Sequence, residues 1–277
     1  MDEKYLTAFI NITLLIFGAI QIAFLKSQKK HTRIALTEQY RNLWDTLKKD
    51  WGRLIFIGRD KGEYYQVLDK RSIEKLKLKS IKDEYPTIWA LESAHKVFGV
   101  IGEISTRVLQ GHITVSDIYP IFGTEFLRHS RPMRQFLDPK YDINHLTQPN
   151  KIDIKHVKIR EEIQDWLIYH DGLRRRCLIL IDLLWAEAAR LEDLPPDDMS
   201  SAAESKLKTG RLNKKRLFRE TIGLNNFTSL FLAYKLSRLL NHSEFSSILN
   251  PIGIKRSRLA KINEEWSKRL LRENQAK

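Results

Sequence analysis

The stretch LTAFINITLLIFGAIQIAFL, Leu6 to Leu25, decides the architecture. It carries no charge and is apolar around the whole helical circumference, so as a helix it needs lipid or a deep core on every side. At about 1.5 Å per residue it spans roughly 30 Å, the thickness of a bilayer's hydrocarbon region. A cleaved signal peptide would open on basic residues, carry a shorter apolar run and end on small residues. Here MDEK precedes the run and KSQKKHTR follows it. Lys26, Lys29, Lys30 and Arg33 after the run, against Asp2, Glu3 and Lys4 before it, assign the C-terminal side to the cytoplasm by the positive-inside bias. The expectation is a single-pass protein of the cell inner membrane with its N-terminus outside.

Within the run, Thr7, Asn11 and Gly18 fall near one face. An Asn amide in hydrocarbon gains most by bonding to another helix, so these residues are candidates for self-association. The alternative is that a moderately hydrophobic anchor simply tolerates them. The Asn11-Ile12-Thr13 triplet matches a glycosylation sequon, but it lies inside the span.

Downstream, Leu36, Tyr40, Leu43, Trp44, Leu47 and Trp51 recur at three-and-four spacing and predict an amphipathic helix that continues from the membrane and needs a protein partner. Gly58 and Gly62 predict a turn between Arg53 and Tyr65, followed by a charged helix through Lys82. Trp89, Phe98, Ile101, Ile104 and Val108 predict a buried helical stripe ending at Gly111. A short helix capped at Ser116 or Asp117 follows, ended or restarted near Pro132. Pro139 and Pro149 mark a linker, and a second helical unit begins near Lys155. In that unit the apolar run Cys177 to Trp185 is too short to span a membrane and reads as a core helix. LEDLPPDDMSSAAES reads as an exposed acidic loop, and a basic amphipathic helix ends the chain. The organisation expected is 1–33 anchor and basic flank, 34–138 helical unit, 139–154 linker and 155–277 second, basic helical unit. The fold class is all-α, a single N-terminal transmembrane helix followed by a helical cytoplasmic bundle.

YRNLWDTL at Tyr40 to Leu47, then VFGVIGEISTRVLQGHIT and DIYPIFG at Asp117 to Gly123, give residues 1–140 an order of parts that resembles a family of uncharacterised bacterial proteins. The resemblance implies one N-terminal membrane helix and a helical cytoplasmic domain, and supplies no catalytic residues.

Composition narrows the function classes. Of 277 residues 42% are hydrophobic, which excludes wholesale disorder, and 12 Gly with 8 Pro disfavour many-turned β folds. The single Cys177 can form neither an intrachain disulfide nor a thiolate metal cage, and the scattered His residues provide no metal motif, so no metal or cofactor is expected. A net charge of +14 points to an anionic partner, either the headgroups of a lipid bilayer or nucleic acid. The densest positive run is Lys206, Lys208, Arg211, Lys214, Lys215, Arg216 and Arg219, with further basic clusters at Arg128 to Arg134 and at Arg174 to Arg176. Arg107 and His112 have the R-x4-H spacing by which some helical ribonucleases bring a cation and an imidazole to one phosphodiester, although Val108 stands where such motifs usually carry a polar residue.

Two functions follow as expectations. One is a membrane-anchored scaffold or effector that forms a homo-oligomer and acts on the membrane, with an unidentified protein partner, as helical effectors of bacterial antiviral defence do. The other is a membrane-bound ribonuclease or nucleic-acid-binding protein.

Overall fold

The computed structural model describes residues 3–59, 86–137, 154–170, 172–225, 229–240 and 256–275. The described residues form eight helices and no strand: α1 (Glu3–Gly58), α2 (Pro86–Leu109), α3 (Val115–Leu137), α4 (Ile154–Tyr169), α5 (Leu173–Leu191), α6 (Pro196–Asn225), α7 (Leu230–Leu240) and α8 (Arg256–Gln275).

Helix α1 is one rod of 56 residues, roughly 80 Å long. Large apolar side chains from Ile12 to Leu25 are exposed, whereas Tyr40, Trp44, Leu47, Trp51 and Leu54 to Ile57 are buried. The stripe predicted downstream of the anchor therefore has its protein partner. Trp44 and Trp51 interlock with Phe122 and Phe126 of α3. The Trp44–Phe122 ring centroids lie 4.7 Å apart edge-on, and Trp51–Phe126 stack at 4.9 Å.

Instead of turning at Arg53, the helix runs on to Gly58. Its end is closed from outside: the buried Arg160 of α4, 1% exposed, donates from Nε to the Ile57 carbonyl at 2.8 Å and from Nη2 to the Arg59 carbonyl at 2.6 Å. A guanidinium at the negative end of a helix dipole satisfies carbonyls that have no partner within the helix. Gly58 permits this junction, because a Cβ there would lie 2.5 Å from the Pro132 carbonyl oxygen.

Helix α2 returns alongside α1 and ends as expected at Gly111. That residue has φ 74°, and hydrogen bonds from Gly111 N to Val108 O and from His112 N to Arg107 O close a Schellman motif. The cap of α3 is Thr114 rather than Ser116 or Asp117. Asp117 reaches back to accept from both the backbone N and the hydroxyl of Thr114, a capping box with Asp in the third position. Pro132 does not end α3. The break falls at Gly123, whose φ of 61° is available to a residue without Cβ.

Helix α5 is the core helix predicted from its apolar run. Every residue from Cys177 to Leu184 is buried, against α2 on one side and α3 on another. Its two carboxylates are paired, Asp182 with Arg134 at 2.6 Å and Glu187 with Arg190 at 2.6 Å. Burial alone would raise the Glu187 carboxyl, but hydrogen bonds from Arg190 and Ser116 outweigh it and hold the group below its ordinary value. Residues of α1 to α3 and of α4 to α7 share one buried hydrophobic cluster. The stretch expected as an acidic loop is mostly helix, since α6 starts at Pro196. Proline suits the first helical position, and the exposed Asp198 in the first turn complements the dipole there. The charged helix expected through Lys82 and residues 139–153 of the expected linker lie outside the described residues, while Ile154, the last of the linker, already begins α4.

Two stability predictions follow. Gly58→Ala must push its new methyl into the α3 backbone and lowers stability by about 2 kcal/mol. Gly99→Ala, where a Cβ meets nothing within 4 Å, raises it by about 0.5 kcal/mol. Thermal unfolding in detergent checks the opposite signs. The second concerns pH: burial, with Arg128 adjacent, lowers the buried His129 imidazole from 6.5 to about 4. The unfolded chain then binds a proton at higher pH than the folded one, so stability is full above pH 6.5 and on the order of 2 kcal/mol is lost as pH falls to 4. Urea unfolding across that window shows a shallower slope in His129→Gln.

Candidate anion-binding sites

The basic run on α6 does not form one patch, because helical periodicity divides it. Lys215, Arg216 and Arg219 share a stripe with Leu212, Glu220, Gly223 and Leu224, and this stripe faces the start of α5. With Gly172, Arg175 and Arg176 it encloses a cleft of about 740 Å³. Five cations thus surround one carboxylate. Glu220 is 3.2 Å from Arg175 Nε and 3.8 Å from Arg176 Nη1, and so holds the two arginines at the wall. Gly172 begins α5 with φ 70°, and a Cβ there would lie 2.8 Å from Glu220 Oε1. The start of α5 therefore depends on the left-handed backbone conformation that Gly172 adopts.

Arg211 is exposed and does not line the cleft. Lys214 lies on a different face, half-buried, where desolvation lowers its ammonium. Lys206 and Lys208 are on α6, and their side chains lie outside the described residues. Arg175 and Arg176 belong to this site although the sequence presents them as a separate cluster. The acid at Glu220 is the one local hint, since it is the counter-charge both arginines use. The remaining basic cluster is dispersed: His129 is buried and Arg134 is bound to Asp182.

Arg107 and His112 do come together. Both line a second cleft, of about 500 Å³, with Leu25, Gln28, Lys29, Thr32 and Leu36 of α1. Arg107 Nη2 is 3.9 Å from Glu103, and its guanidinium lies beside the Tyr40 hydroxyl, which itself donates to Glu103 at 3.0 Å. The Tyr40 phenol is raised, first by burial. Thr7, Asn11 and Gly18 all lie on α1. The side chains of Thr7 and Asn11 are outside the described residues, and Gly18 has open space where a Cβ would stand. Cys177 is buried, with its thiol raised by desolvation and its Sγ against the Phe98 carbonyl at 3.5 Å, so it is chemically shielded. Among the described residues no group of three or more His, Cys, Asp or Glu could hold a metal ion.

The chain matches no protein-family model, no curated protein and no solved structure. A functional reading accordingly rests on the geometry of these two clefts and of α1.

A chemical consequence of the α5–α6 cleft is measurable. Replacing Lys215, Arg216 and Arg219 together by Gln weakens binding of a soluble polyphosphate to the detergent-solubilised chain by roughly a hundredfold at low salt. The salt dependence becomes shallower as well. Lys214→Gln leaves both unchanged.

Proposed function

We propose that this chain is a single-pass, membrane-anchored helical scaffold or effector that self-associates and acts at the membrane surface without catalysing a reaction. The observation that carries this reading is the continuity of α1. It is long and apolar enough to cross a membrane, its most apolar window having mean hydropathy 1.2 with none of that window buried, and the same helix is built into the bundle core. A rod fixed at one end in protein and apolar at the other transmits position between bilayer and bundle. The positive flank from Lys26 to Arg33 supports a cytoplasmic bundle. The open face at Gly18 supports packing of a second α1 against the first. A role in bacterial antiviral defence fits this design, since an oligomerising anchor is a means of perturbing a bilayer.

The ribonuclease reading draws on Arg107 and His112 lining one cleft, yet that cleft is walled by Leu25 and Leu36 where the apolar segment ends, a setting that suits lipid better than RNA.

In cell fractions, the full chain is expected to stay with membranes through alkaline carbonate and to sediment as a multimer by light scattering in lipid nanodiscs. Release by carbonate contradicts the anchor, and monomers contradict the self-association. The purified chain leaves RNA intact; cleavage that disappears in His112→Ala would reinstate the enzyme reading.

A further inference from the structure

The two ends of the bundle are chemically unlike. At one, α1 stops under Arg160; at the other, it leaves the bundle as the apolar segment. This second end is formed by the α2–α3 turn. It is tied to α1 by Arg33 Nε and Asp117 Oδ2 at 3.1 Å, and Leu232 of α7 lies against Gly111. The cleft of Arg107 and His112 opens here, between the turn and α1.

The make-up of the cleft changes along α1. Leu25 is the last residue of the uncharged stretch, and Lys29 follows one helical turn later. The cleft therefore straddles the level where, for an anchored chain, hydrocarbon gives way to headgroups. Its apolar wall is Leu25 and Leu36, while its cations are Lys29 and Arg107, with His112 exposed beside them. Arg107 keeps capacity for a ligand: its side chain is 39% exposed in the cleft, and the 3.9 Å separation from Glu103 is an ion pair but too long for a hydrogen bond. An arginine fork and a lysine lining one cleft both offer donors suited to the oxygens of a phosphate. On neighbouring α7, Phe231 is 79% exposed, and the exposed Tyr234 ring carries the Arg238 guanidinium 5.9 Å from its centroid. Aromatic and basic side chains of this kind sit well at a membrane–water interface.

We infer that this cleft holds the phosphate headgroup of an anionic phospholipid of the surrounding bilayer, with Lys29 and Arg107 on the phosphate and an acyl chain along Leu25. The inference rests on the anchored reading of α1 and assigns lipid recognition to residues other than the α5–α6 cleft. The apolar wall and the place at the end of the anchor favour lipid over nucleic acid.

The test uses the full chain in nanodiscs of phosphatidylcholine with a minor fraction of phosphatidylglycerol, followed by detergent exchange and native mass spectrometry of the lipids retained. Phosphatidylglycerol is expected to be enriched over the bulk mixture, and its retention falls roughly tenfold in Lys29→Gln/Arg107→Gln. Lys48→Gln, at an exposed lysine of α1 that lines neither cleft, leaves it unchanged. Lys29→Gln alone, at an exposed side chain, shows part of the loss and guards against Arg107→Gln failing to fold through Tyr40 and Glu103. Equal retention in wild type and both Lys29 variants overturns the headgroup site and leaves the anchor standing. Displacement of the retained lipid by inorganic phosphate alone also overturns it, in favour of a free-anion site. A chain released from membranes by carbonate overturns both readings together.

Discussion

One helix made to satisfy two incompatible surroundings is the constraint from which the other features follow. The C-terminal half of α1 is locked by Trp44 and Trp51 against Phe122 and Phe126, and by Arg160 over its last carbonyls. Its N-terminal half presents Ile12, Leu14, Leu15, Ile16, Phe17, Ile20, Ile22, Phe24 and Leu25 outward with no protein over them. At about 1.5–3 kcal/mol per large apolar side chain left in water, that surface costs on the order of 15 kcal/mol. This equals or exceeds the net stability of a typical domain. The segment is long and apolar enough to cross a membrane, and because the helix is unbroken, whatever surrounds residues 12–25 also fixes where the bundle stands.

Electrostatics sort the excess positive charge into three fates. Some cations stabilise the fold: Arg160 closes α1, Arg134 neutralises Asp182 beside the core, and Arg33 fastens the α2–α3 turn by Asp117. Others meet in the α5–α6 cleft, where one carboxylate faces five cations. The last group stands at the exit of the apolar segment, where Lys29 and Arg107 adjoin an apolar wall. Glu192 marks a further junction. It ends α5 at φ 63°, an unfavourable conformation for a residue with a side chain, and meets Arg258 of α8 at 2.6 Å. The ion pair brings the C-terminal helix to the end of the central one.

What can be read from the sequence is what periodicity and capping encode locally. The stripe from Tyr40 to Trp51, the buried face of α2 from Phe98 to Val108 and the glycine cap at Gly111 are each specified within a few turns of chain, and the structure agrees with them, although Trp89, expected on the same face, is only partly buried. Sequence reasoning went astray where a distant partner decides. The turn expected from Arg53 is displaced to Gly58, where α3 approaches too closely for any side chain and Arg160, a hundred residues later, satisfies the end of α1. Pro132 reads as a stop but is tolerated inside α3, while the break falls at Gly123. The acidic stretch after Leu194 reads as a loop because its charges suggest solvent, although acids at a helix start are stabilising. For the candidate sites, the α6 run identifies the right helix but not the right face, and the contribution of Arg175 and Arg176 exists only once α5 lies beside α6.

The central claim, that residues up to Leu25 lie in lipid while the same helix continues into the bundle, is tested most directly by accessibility along α1. Single cysteines are introduced in turn as Ile16→Cys, Ile20→Cys, Lys30→Cys and Glu38→Cys in a Cys177→Ser background, and the chain in sealed membranes is treated with a charged, membrane-impermeant maleimide from the cytoplasmic side. The account predicts protection at positions 16 and 20 and rapid labelling at 30 and 38. Comparable labelling at all four positions would contradict it.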